Sequence, residues 1–443
     1  MQTGTQSTPA AVDETTLRDI GVLGVSGWGP VFLEFDLTVT PAGGAALRRL
    51  ARSPLVDATA IRARQATLQY LASRLSSLPL RDLAATADGA ARYLGSSYVA
   101  LPEGWLRAWL SVRGDQTVAG PLLDGIRALR ALLGHVGVLV EALHEAPPTA
   151  AELIAIRSTL EAGLALPAVR RLRASGPAAH TKLAMLDRAL REVEREWLQA
   201  TLAALAELDA LAALARIGAR TGYAYPEILD DGARACFVEL RHPLLPAGVP
   251  NSIAFDGEHR VVYLTGPNMS GKTTFLRSCA LAIYLAQLGA AVPATRAQVG
   301  AFERIVSAIE VSDDIQSGVS LYLAEVRRIR ALLRIVASGQ RTFAVMDEMF
   351  KGTNIADAQD ATCAVVLALA RASRGTFLVS SHLTEVASYL ADTSSIALRH
   401  FVVVETEQGP RGDFRLREGV STQRFGMRLL EAEGVLALLD VIA

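Results

Sequence analysis

The chain has 443 residues, of which 51% are hydrophobic and 20% are charged, a mixture that excludes disordered and fibrous proteins. The formal net charge of −1 excludes a chain that is basic throughout, so any surface for nucleic acid has to be local. The three cysteines, Cys236, Cys279 and Cys363, form no CxxC pair, which predicts a cytoplasmic protein without disulfides or structural zinc.

The N-terminal stretch MQTGTQSTPAAVDETT has neither a basic start nor an apolar core, so it does not resemble a secretory signal. We expect residues 1–40 to be a flexible leader and entry segment. The longest apolar runs, such as Ala361–Ala370, fall short of the about 20 residues that cross a bilayer. No membrane span is therefore predicted.

From Pro41 to about residue 222, apolar residues recur three and four positions apart with charges between them, as in Ile61–Leu75 and Leu122–Leu143. Gly, Pro and Ser residues interrupt this pattern, for example at Pro147–Pro148. The periodicity predicts a domain of long helices over residues 41–222.

After Gly222 the pattern changes to short apolar runs that alternate with helical segments, for example Val261–Leu264, Phe343–Met346 and Thr376–Ser380. That alternation is typical of a sheet with helices packed on its faces. Residues 223–443 are therefore predicted to form an α/β domain, so the fold class of the whole chain is α plus α/β.

The stretch TGPNMSGKTTFLRS follows the predicted strand Val261–Leu264 and precedes a helical run. Gly266, Gly271, Lys272 and Thr273 satisfy GxxxxGK[ST], the pattern of a P-loop. Its glycines let backbone N–H groups approach phosphate oxygens, its lysine reaches the terminal phosphates, and its threonine hydroxyl is a ligand for Mg²⁺. The sequence therefore predicts a site for a nucleotide and Mg²⁺.

Two further buried-strand patterns end in polar residues. RTFAVMDEMF places Asp347 and Glu348 after an apolar run, where Asp347 can hold the Mg²⁺ shell and Glu348 can orient the attacking water. TFLVSSHLTEV ends at His382, whose imidazole can contact the γ-phosphate, although a histidine in a surface loop is the alternative. Strand ends at one edge of such a sheet converge on a ligand, which favours the functional interpretation of His382.

Between these motifs lies VSDDIQSGVSLYLAEVRRI, in which Ser317 and Ser320 precede a helical run. Hydroxyls and backbone N–H groups at such a turn can bind an anion, and a helix cap explains the same residues. The position between the P-loop and Asp347 favours a signature loop that reaches the γ-phosphate of a partner subunit.

In these motifs the chain resembles the MutS family of ABC-type ATPases. The resemblance implies a helical lever (core) domain over residues 41–222, followed by a P-loop ABC-type ATPase domain over residues 223–443 with a mixed, mainly parallel sheet. The segments that carry it are GPNMSGKTT at Gly266–Thr274, the SDD and SG turns before Leu321, MDE followed by GT at Met346–Thr353, SH followed by E at Ser381–Glu385, VSTQRFGMRLLEAEGV at Val420–Val435, and the lever-like segments Thr40–Leu71 and Leu205–Arg216.

The resemblance also implies individual roles. Thr273 and Asp347 would hold Mg²⁺, Glu348 would serve the hydrolytic water, and His382 would sense the γ-phosphate of ATP. With Lys272, Glu348 and His382 are the candidate catalytic residues of a Mg²⁺-dependent ATPase. The candidate ATP-binding residues are Gly266, Pro267, Asn268, Met269, Ser270, Gly271, Lys272, Thr273 and Thr274, with Ser317 and Ser320 acting across a homodimer interface.

The chain also departs from the family pattern. The mismatch-reading and connector domains that precede the levers have no counterpart in the first 40 residues, and the space between Ala151 and Leu205 is small for a DNA-gripping clamp. Gly248 stands where an aromatic residue often stacks on adenine, and Val319 and Leu321 replace an arginine and a threonine that are common in the signature loop. Mismatch recognition in the family's usual way is therefore not expected.

These features predict a MutS-like ATP-dependent DNA-binding protein in mismatch repair, recombination control or a related DNA transaction. Basic residues at the tip of a shortened lever hairpin would contact the DNA backbone, although a solvated helix end explains them equally. These residues are Arg170, Arg171, Arg173, His180 and Lys182.

The alternative function is an ATP-driven clamp on a protein or ribonucleoprotein partner, which the near-neutral charge and the missing DNA-contacting domains favour. The ATPase subunit of a membrane transporter is disfavoured, because a long helical region precedes the P-loop.

Overall fold

The computed structural model describes residues 11–96, 116–174, 186–220, 222–230, 232–310, 321–406, 409–421, 423, 430 and 434–435. The chain divides into two compact units. The helical unit comprises Asp36–Ala51 and Ala63–Ala219, and the sheet unit comprises Met1–Phe35, Arg52–Arg62 and Arg220–Ala443.

The helices of the described residues are, in chain order, α1 (Glu14–Asp19), α2 (Pro30–Phe35), α3 (Pro41–Arg52), α4 (Ala58–Ala72), α5 (Leu80–Gly95), α6 (Gln116–Glu145), α7 (Ala151–Ala165), α8 (Pro167–Ala174), α9 (Arg195–Ile217), α10 (Lys272–Gln287), α11 (Leu321–Ala337), α12 (Ile355–Ala370) and α13 (Thr384–Leu390). A five-residue π-helix, Ala189–Val193, precedes α9.

The strands are β1 (Ala11–Val12), β2 (Leu23–Gly24), β3 (Gly27–Trp28), β4 (Glu227–Leu229), β5 (Ala235–Leu240), β6 (Asn251–Phe255), β7 (Val261–Thr265), β8 (Arg296–Gly300), β9 (Arg304–Ala308), β10 (Thr342–Asp347), β11 (Gly375–Ser381), β12 (Ile396–His400), β13 (Val403–Thr406), β14 (Gly409–Gly412) and β15 (Arg417–Glu418).

In the helical unit, the apolar periodicity of the sequence forms the core. Helix α6 buries Ile126, Leu129, Leu133 and Val136, which follow one another at the three- and four-residue spacing of a helix face. Helix α9 is long and apolar enough to cross a membrane by length and composition, but most of its apolar window is buried inside the protein. Burial of that kind is typical of the core helix of a globular unit.

Asp209 fixes the start of α3 in the helical unit. Its carboxylate, which is almost fully buried, accepts hydrogen bonds from the backbone N–H groups of Val39 and Thr40 and from the Thr40 hydroxyl. These donors precede the first turn of α3, where backbone N–H groups have no partner within the helix. The next turn packs so closely that a Cβ atom on Gly43 would lie 2.1 Å from Asp209 Oδ2.

The sheet unit is built on a seven-stranded sheet with the order β1-β9-β10-β11-β7-β12-β15. Each pair is parallel except β12 and β15. Strands β7 and β11 are buried along their whole length, as expected for a sheet covered on both faces. The combination of helices with a mixed, mainly parallel sheet confirms the predicted fold class, whereas the function of the N-terminal helices as levers stays a prediction.

A second sheet has the order β4-β8-β5-β6 and contains both parallel and antiparallel pairs. Phe255, at the end of β6, packs edge-on against Phe343 of β10 in the main sheet. Phe302 contacts the same ring from the turn between β8 and β9. These aromatic contacts join the two sheets within the unit.

Residues 11–35 differ from the flexible leader expected from the sequence. Strand β1 pairs with β9 at the edge of the main sheet, and α1 follows directly. The buried carboxylate of Asp19 accepts hydrogen bonds from the Ser307 hydroxyl at 2.5 Å and from Ile309 N at 3.0 Å. Asp19 thus supplies a hydrogen-bond acceptor to polar groups at the end of β9. A local hydrophobic pattern does not reveal such a role.

Candidate nucleotide site

The predicted P-loop joins the carboxyl end of β7 to the first residue of α10. Gly266 and Gly271 have φ values of +148° and +103°, in the region that favours glycine. A Cβ atom on Gly266 would lie 2.8 Å from the carbonyl oxygen of Phe401. Both glycines of the motif are therefore required by the backbone itself, and the loop presents the N-terminus of a helix, where a phosphate is bound favourably.

The Lys272 ammonium group lies within this loop. Its Nζ donates hydrogen bonds to the carbonyl oxygens of Gly266 and Pro267, at 2.8 and 3.0 Å. Burial lowers the pKa of Lys272 below its usual range, and the nearby carboxylates of Glu348 and Asp347 partly oppose that shift. The buried Lys272 ammonium group is hydrogen-bonded to neutral carbonyl oxygens. An anionic acceptor such as a phosphate oxygen would stabilise its charge more strongly.

The register of the sheet brings the second motif to the same edge. Asp347 of β10 pairs with Ser380 of β11, and Ser381 pairs with Thr265 of β7, immediately before the loop. The Thr273 hydroxyl donates a hydrogen bond of 2.5 Å to Asp347 Oδ2. The register therefore brings the carboxyl ends of β7, β10 and β11 together at one edge of the sheet.

Asp347 keeps one oxygen without a protein partner. Its Oδ1 atom is buried and has no hydrogen bond to the described residues, and the same is true of the Ser270 hydroxyl in the loop. No cluster of three or more His, Cys, Asp or Glu side chains is found in the described part of the chain. One carboxylate and one hydroxyl fit Mg²⁺, which takes few protein ligands and completes its shell with water and phosphate oxygens.

Glu348 stands beside this pair in an unusual backbone conformation. Its φ is +49°, and its N–H donates to the carbonyl oxygen of Ser380 at 2.9 Å. A non-glycine residue in the left-handed region is characteristic of functional sites, where the surrounding structure holds it. Glu348 lies just beyond the end of β10, and its carboxylate, like that of Asp347, is close enough to act on the charge of Lys272.

His382 lies across from Glu348, with 3.8 Å between its Nδ1 and Glu348 Oε1. The turn that carries it is held on both sides: Leu383 N donates to the Ser381 hydroxyl, and the Tyr263 hydroxyl donates to the carbonyl oxygen of Leu383. The imidazole is about half exposed. His382 thus lies directly after β11, beside Glu348, and its contact with the γ-phosphate stays a prediction.

A pocket of about 530 Å³ opens beside the P-loop, on the side of Gly271 and Thr274. Its apolar walls include Phe275, Phe401 and Phe414. Phe414 has a φ of +57°, and Asn251 holds its backbone by donating from Nδ2 to the Phe414 carbonyl oxygen at 2.8 Å. An aromatic-lined pocket next to a phosphate loop is suited to a nucleobase.

Phe414 is a site residue that the sequence pattern does not indicate. Gly248, where the family's aromatic residue is expected, also lines the pocket. Phe414 follows the hairpin of β13 and β14, which are antiparallel, and reaches the pocket through the fold of that hairpin. No local pattern marks such a residue as a wall of the pocket.

His242 also lines this pocket. Burial and the positive charge of Arg277 lower the pKa of His242. A neutral imidazole can both donate and accept a hydrogen bond at the edge of a base.

The predicted residues Ser317 and Ser320 lie outside the described residues, as do His180 and Lys182. Arg170 lies in the middle of α8 and Arg173 in its last turn, in the helical unit. Arg170 and Arg173 are both exposed. Their position near a helix C-terminus agrees with both interpretations of the basic segment, so contact with DNA stays a prediction.

Comparisons with known proteins agree with the geometry of the site. Residues 262–438 match the family model of MutS domain V. The chain is similar to the DNA mismatch repair protein MutS of Natronomonas pharaonis, with 34% identity over 245 residues that cover 54% of this chain and 28% of the relative.

For the protein of the same name from Chloroflexus aurantiacus, the identity is 33% over 246 residues, covering 54% of this chain and 25% of the relative. For that of Ruminiclostridium cellulolyticum it is 37% over 177 residues, covering 38% and 20%. The chain thus spans about a quarter of the length of the curated relatives it matches.

Proposed function

Because residues 262–438 belong to the MutS domain V family, which confirms the resemblance seen in the sequence, we propose that this chain is a Mg²⁺-dependent ATPase that couples ATP hydrolysis to an action on DNA. The observation that carries the proposal is the hydrogen bond between Thr273 and Asp347, beside the buried and unpartnered Oδ1 atom. It joins the two motifs of an ATPase at one edge of the sheet.

In the proposed reaction the residues of this chain position ATP and water. The Lys272 ammonium group exchanges the carbonyl oxygens of Gly266 and Pro267 for the terminal phosphates. Phe414 stacks on the base in the adjacent pocket. Mg²⁺, when bound at Thr273 and Asp347, neutralises charge on the phosphate oxygens.

Glu348 orients the attacking water and accepts its proton, and His382 donates to an oxygen of the γ-phosphate. Phosphoryl transfer depends mainly on such positioning and on electrostatic stabilisation, so a small number of side chains is sufficient.

We further propose that the active form is a homodimer, in which Ser317 and Ser320 of one subunit complete the site of the other. The helical unit would then transmit the opening and closing of the ATPase dimer to a bound partner. DNA is the proposed partner, contacted through its backbone by Arg170, Arg171 and Arg173, in mismatch repair, recombination control or a related transaction. The names of the relatives support this choice.

The test is the partner that a hydrolysis-deficient protein retains. Tagged Glu348→Gln protein is loaded with ATP and Mg²⁺ and captured from a nuclease-free lysate, and the bound nucleic acid and protein are quantified. We expect the ATP-loaded protein to retain DNA and the ADP-loaded protein to release it. Recovery of a dominant protein or ribonucleoprotein without DNA would favour the alternative clamp function.

A triple variant, Arg170→Glu with Arg171→Glu and Arg173→Glu, tests the contact surface. It should lose DNA affinity by about tenfold or more and reduce its dependence on salt, because each lost phosphate contact removes part of the counterion release. The ATPase rate without DNA should not change. Unaltered DNA binding would exclude α8 as the contact surface.

A further inference from the structure

A groove of about 430 Å³ lies at the edge of the main sheet opposite the nucleotide site. It runs between the C-terminal parts of α11 and α12 and ends at the turn before β11. Thr342, the first residue of β10, pairs with Gly375, the first residue of β11, so this edge is formed by the amino ends of the strands. The P-loop follows the carboxyl end of β7, and the groove is therefore separate from that site.

The floor of the groove is apolar. Leu333 and Val336 of α11 face Ala368 of α12 and Ala372 of the following turn. Leu333, Val336 and Ala372 are only partly buried, and Ala368 is exposed. Leu333, Val336 and Ala372 pack against the core of the main sheet on one side, and the rest of their apolar surface is open to the channel.

The rim of the groove is basic. Arg371 and Arg374 line it, and both are exposed, as is Arg334, which shares a helix face with the lining residue Ala337. No ion pair to these three arginines is found among the described residues. The sequence contains no Asp or Glu between Glu325 and Asp347, or between Asp360 and Glu385.

Other arginines at this edge are already engaged within the protein. Arg260, directly before β7, donates to the carbonyl oxygen of Ala372 at 3.3 Å, and Arg304 donates to the Gln340 side chain. Arg341, directly before β10, faces Glu303. Among the described residues, no carboxylate forms an ion pair with Arg334, Arg371 or Arg374. Their positive charge is therefore a local feature of a chain whose formal net charge is −1.

We propose that this groove binds an acidic amphipathic helix of a partner protein. An apolar helix face would cover Leu333, Val336 and Ala368, and carboxylates flanking it would pair with Arg334, Arg371 and Arg374. The floor decides against a nucleic acid, because phosphate groups gain from the arginines but not from an apolar channel between two helices. Binding at this groove does not require ATP hydrolysis.

The test uses the full chain and a fluorescein-labelled peptide of about four helical turns, with leucines on one face and glutamates beside them. A matched peptide carries lysines in place of the glutamates, and a labelled DNA duplex is the third probe. Fluorescence anisotropy is measured for the wild type and for Arg371→Glu with Arg374→Glu. Arg49→Glu with Arg92→Glu is the control, because both arginines are exposed residues of other helices.

We expect the acidic peptide to bind and its affinity to fall by about tenfold or more in the Arg371 and Arg374 variant, with no change in the control. The charge-reversed variant should gain affinity for the lysine peptide, a result that an unfolded variant could not give. Ala368→Trp, whose indole would fill the apolar floor, should also weaken the binding of the acidic peptide.

Three outcomes would overturn the proposal. They are no binding of the acidic peptide to the wild type, equal binding to the Arg371 and Arg374 variant, and displacement of the peptide by the DNA duplex. The third outcome would assign the rim to nucleic acid.

Discussion

The hydroxyl of Thr273 and the carboxylate of Asp347 are joined by a 2.5 Å hydrogen bond, although 74 positions separate them in the sequence. Thr273 is set by the first turn of α10, and Asp347 by the end of β10. Because both elements are rigid, the pair is preorganised and needs no large rearrangement to hold a cation.

Lys272→Ala should abolish ATP hydrolysis and weaken ATP binding by about a hundredfold or more, since it removes the one lysine placed within the P-loop. Binding is measured by calorimetry with a non-hydrolysable ATP analogue, and turnover by phosphate release. Arg49→Ala is the control, because Arg49 is an exposed residue of α3 in the helical unit. Hydrolysis retained in Lys272→Ala would remove the basis of the assigned site.

The affinity for ATP should fall as pH rises into the alkaline range. Burial lowers the pKa of Lys272 in the free protein, whereas bound phosphates favour the charged ammonium group. Between the two pKa values, ATP binding takes up a proton, so the dissociation constant increases with pH. Calorimetry in two buffers with different ionisation enthalpies measures that proton.

The lowered pKa of Lys272 also determines how the free energy of unfolding changes with pH. A lysine with a lowered folded-state pKa binds fewer protons than in the unfolded chain between that pKa and 10.5, so the free energy of unfolding rises with pH across this window. Lys272→Arg keeps its charge at all these pH values and should lose both effects. An unchanged pH dependence in Lys272→Arg would assign it to another group.

Glu348→Gln should bind ATP with an affinity within a few fold of the wild type but hydrolyse it at least about a hundredfold more slowly. Glutamine has the same shape, and the Glu348 N–H bond to the Ser380 carbonyl oxygen is retained, so the strained turn can persist. Glu258→Gln is the control, because Glu258 is exposed and lies just before β7, at the end of that strand opposite the P-loop. Wild-type turnover in Glu348→Gln would show that another group serves the water.

Dimerisation is tested with the same variant. Light scattering with ATP and Mg²⁺ should show a dimer of Glu348→Gln that reverts to a monomer in ADP, because the proposed composite site is completed only around ATP. A monomer under every nucleotide condition would contradict the role proposed for Ser317 and Ser320.

Phe414→Ala should weaken ATP binding by about 1–3 kcal/mol, the typical contribution of stacking between a base and an aromatic ring. Binding of tripolyphosphate, which has no base, should not change, and Phe414→Tyr should keep the ATP affinity because it keeps the ring. Calorimetry with both ligands separates the two contributions. Equal losses for ATP and tripolyphosphate would indicate that Phe414 supports the P-loop at Gly271 and not the base.

The sequence was sufficient to predict the parts of the site that follow a strand directly. Gly266–Thr273, Asp347 with Glu348, and His382 each continue a buried apolar run, so a local pattern reveals both the strand and the residue at its end. The helical content of residues 41–222 was likewise predictable, because helix faces repeat every three or four positions.

The remaining features depend on contacts between distant segments. Phe414 reaches the base pocket through a hairpin, and Asp19 reaches the end of β9 across 288 positions of sequence. Neither residue lies in a periodic run, and β1 has only two residues. Short elements satisfied by tertiary hydrogen bonds give too weak a local signal, which is why residues 11–35 were expected to be a flexible leader.

Gly43→Ala should destabilise the helical unit, whereas Gly44→Ala should not. A Cβ atom at Gly43 would lie 2.1 Å from Asp209 Oδ2, which forces the buried carboxylate away from its donors and destabilises the protein by about 1–3 kcal/mol. At Gly44 the nearest side-chain atom, Thr38 Oγ1, would lie at 3.3 Å. Alanine favours the helix there by up to about 1 kcal/mol, so this variant should be neutral or stabilised.

Asp209→Ala should destabilise the protein by about 2–4 kcal/mol, because it leaves the N–H groups of Val39 and Thr40 without their acceptor. Urea unfolding of the two single variants and of the combination with Gly43→Ala gives the coupling. In the Asp209→Ala background the carboxylate is gone and only the Cβ atom of residue 209, at 2.9 Å, lies close to the new Cβ, so Gly43→Ala should destabilise the protein clearly less than it does in the wild type. If the two losses were additive, Gly43 would be required for a reason other than the close approach of Asp209.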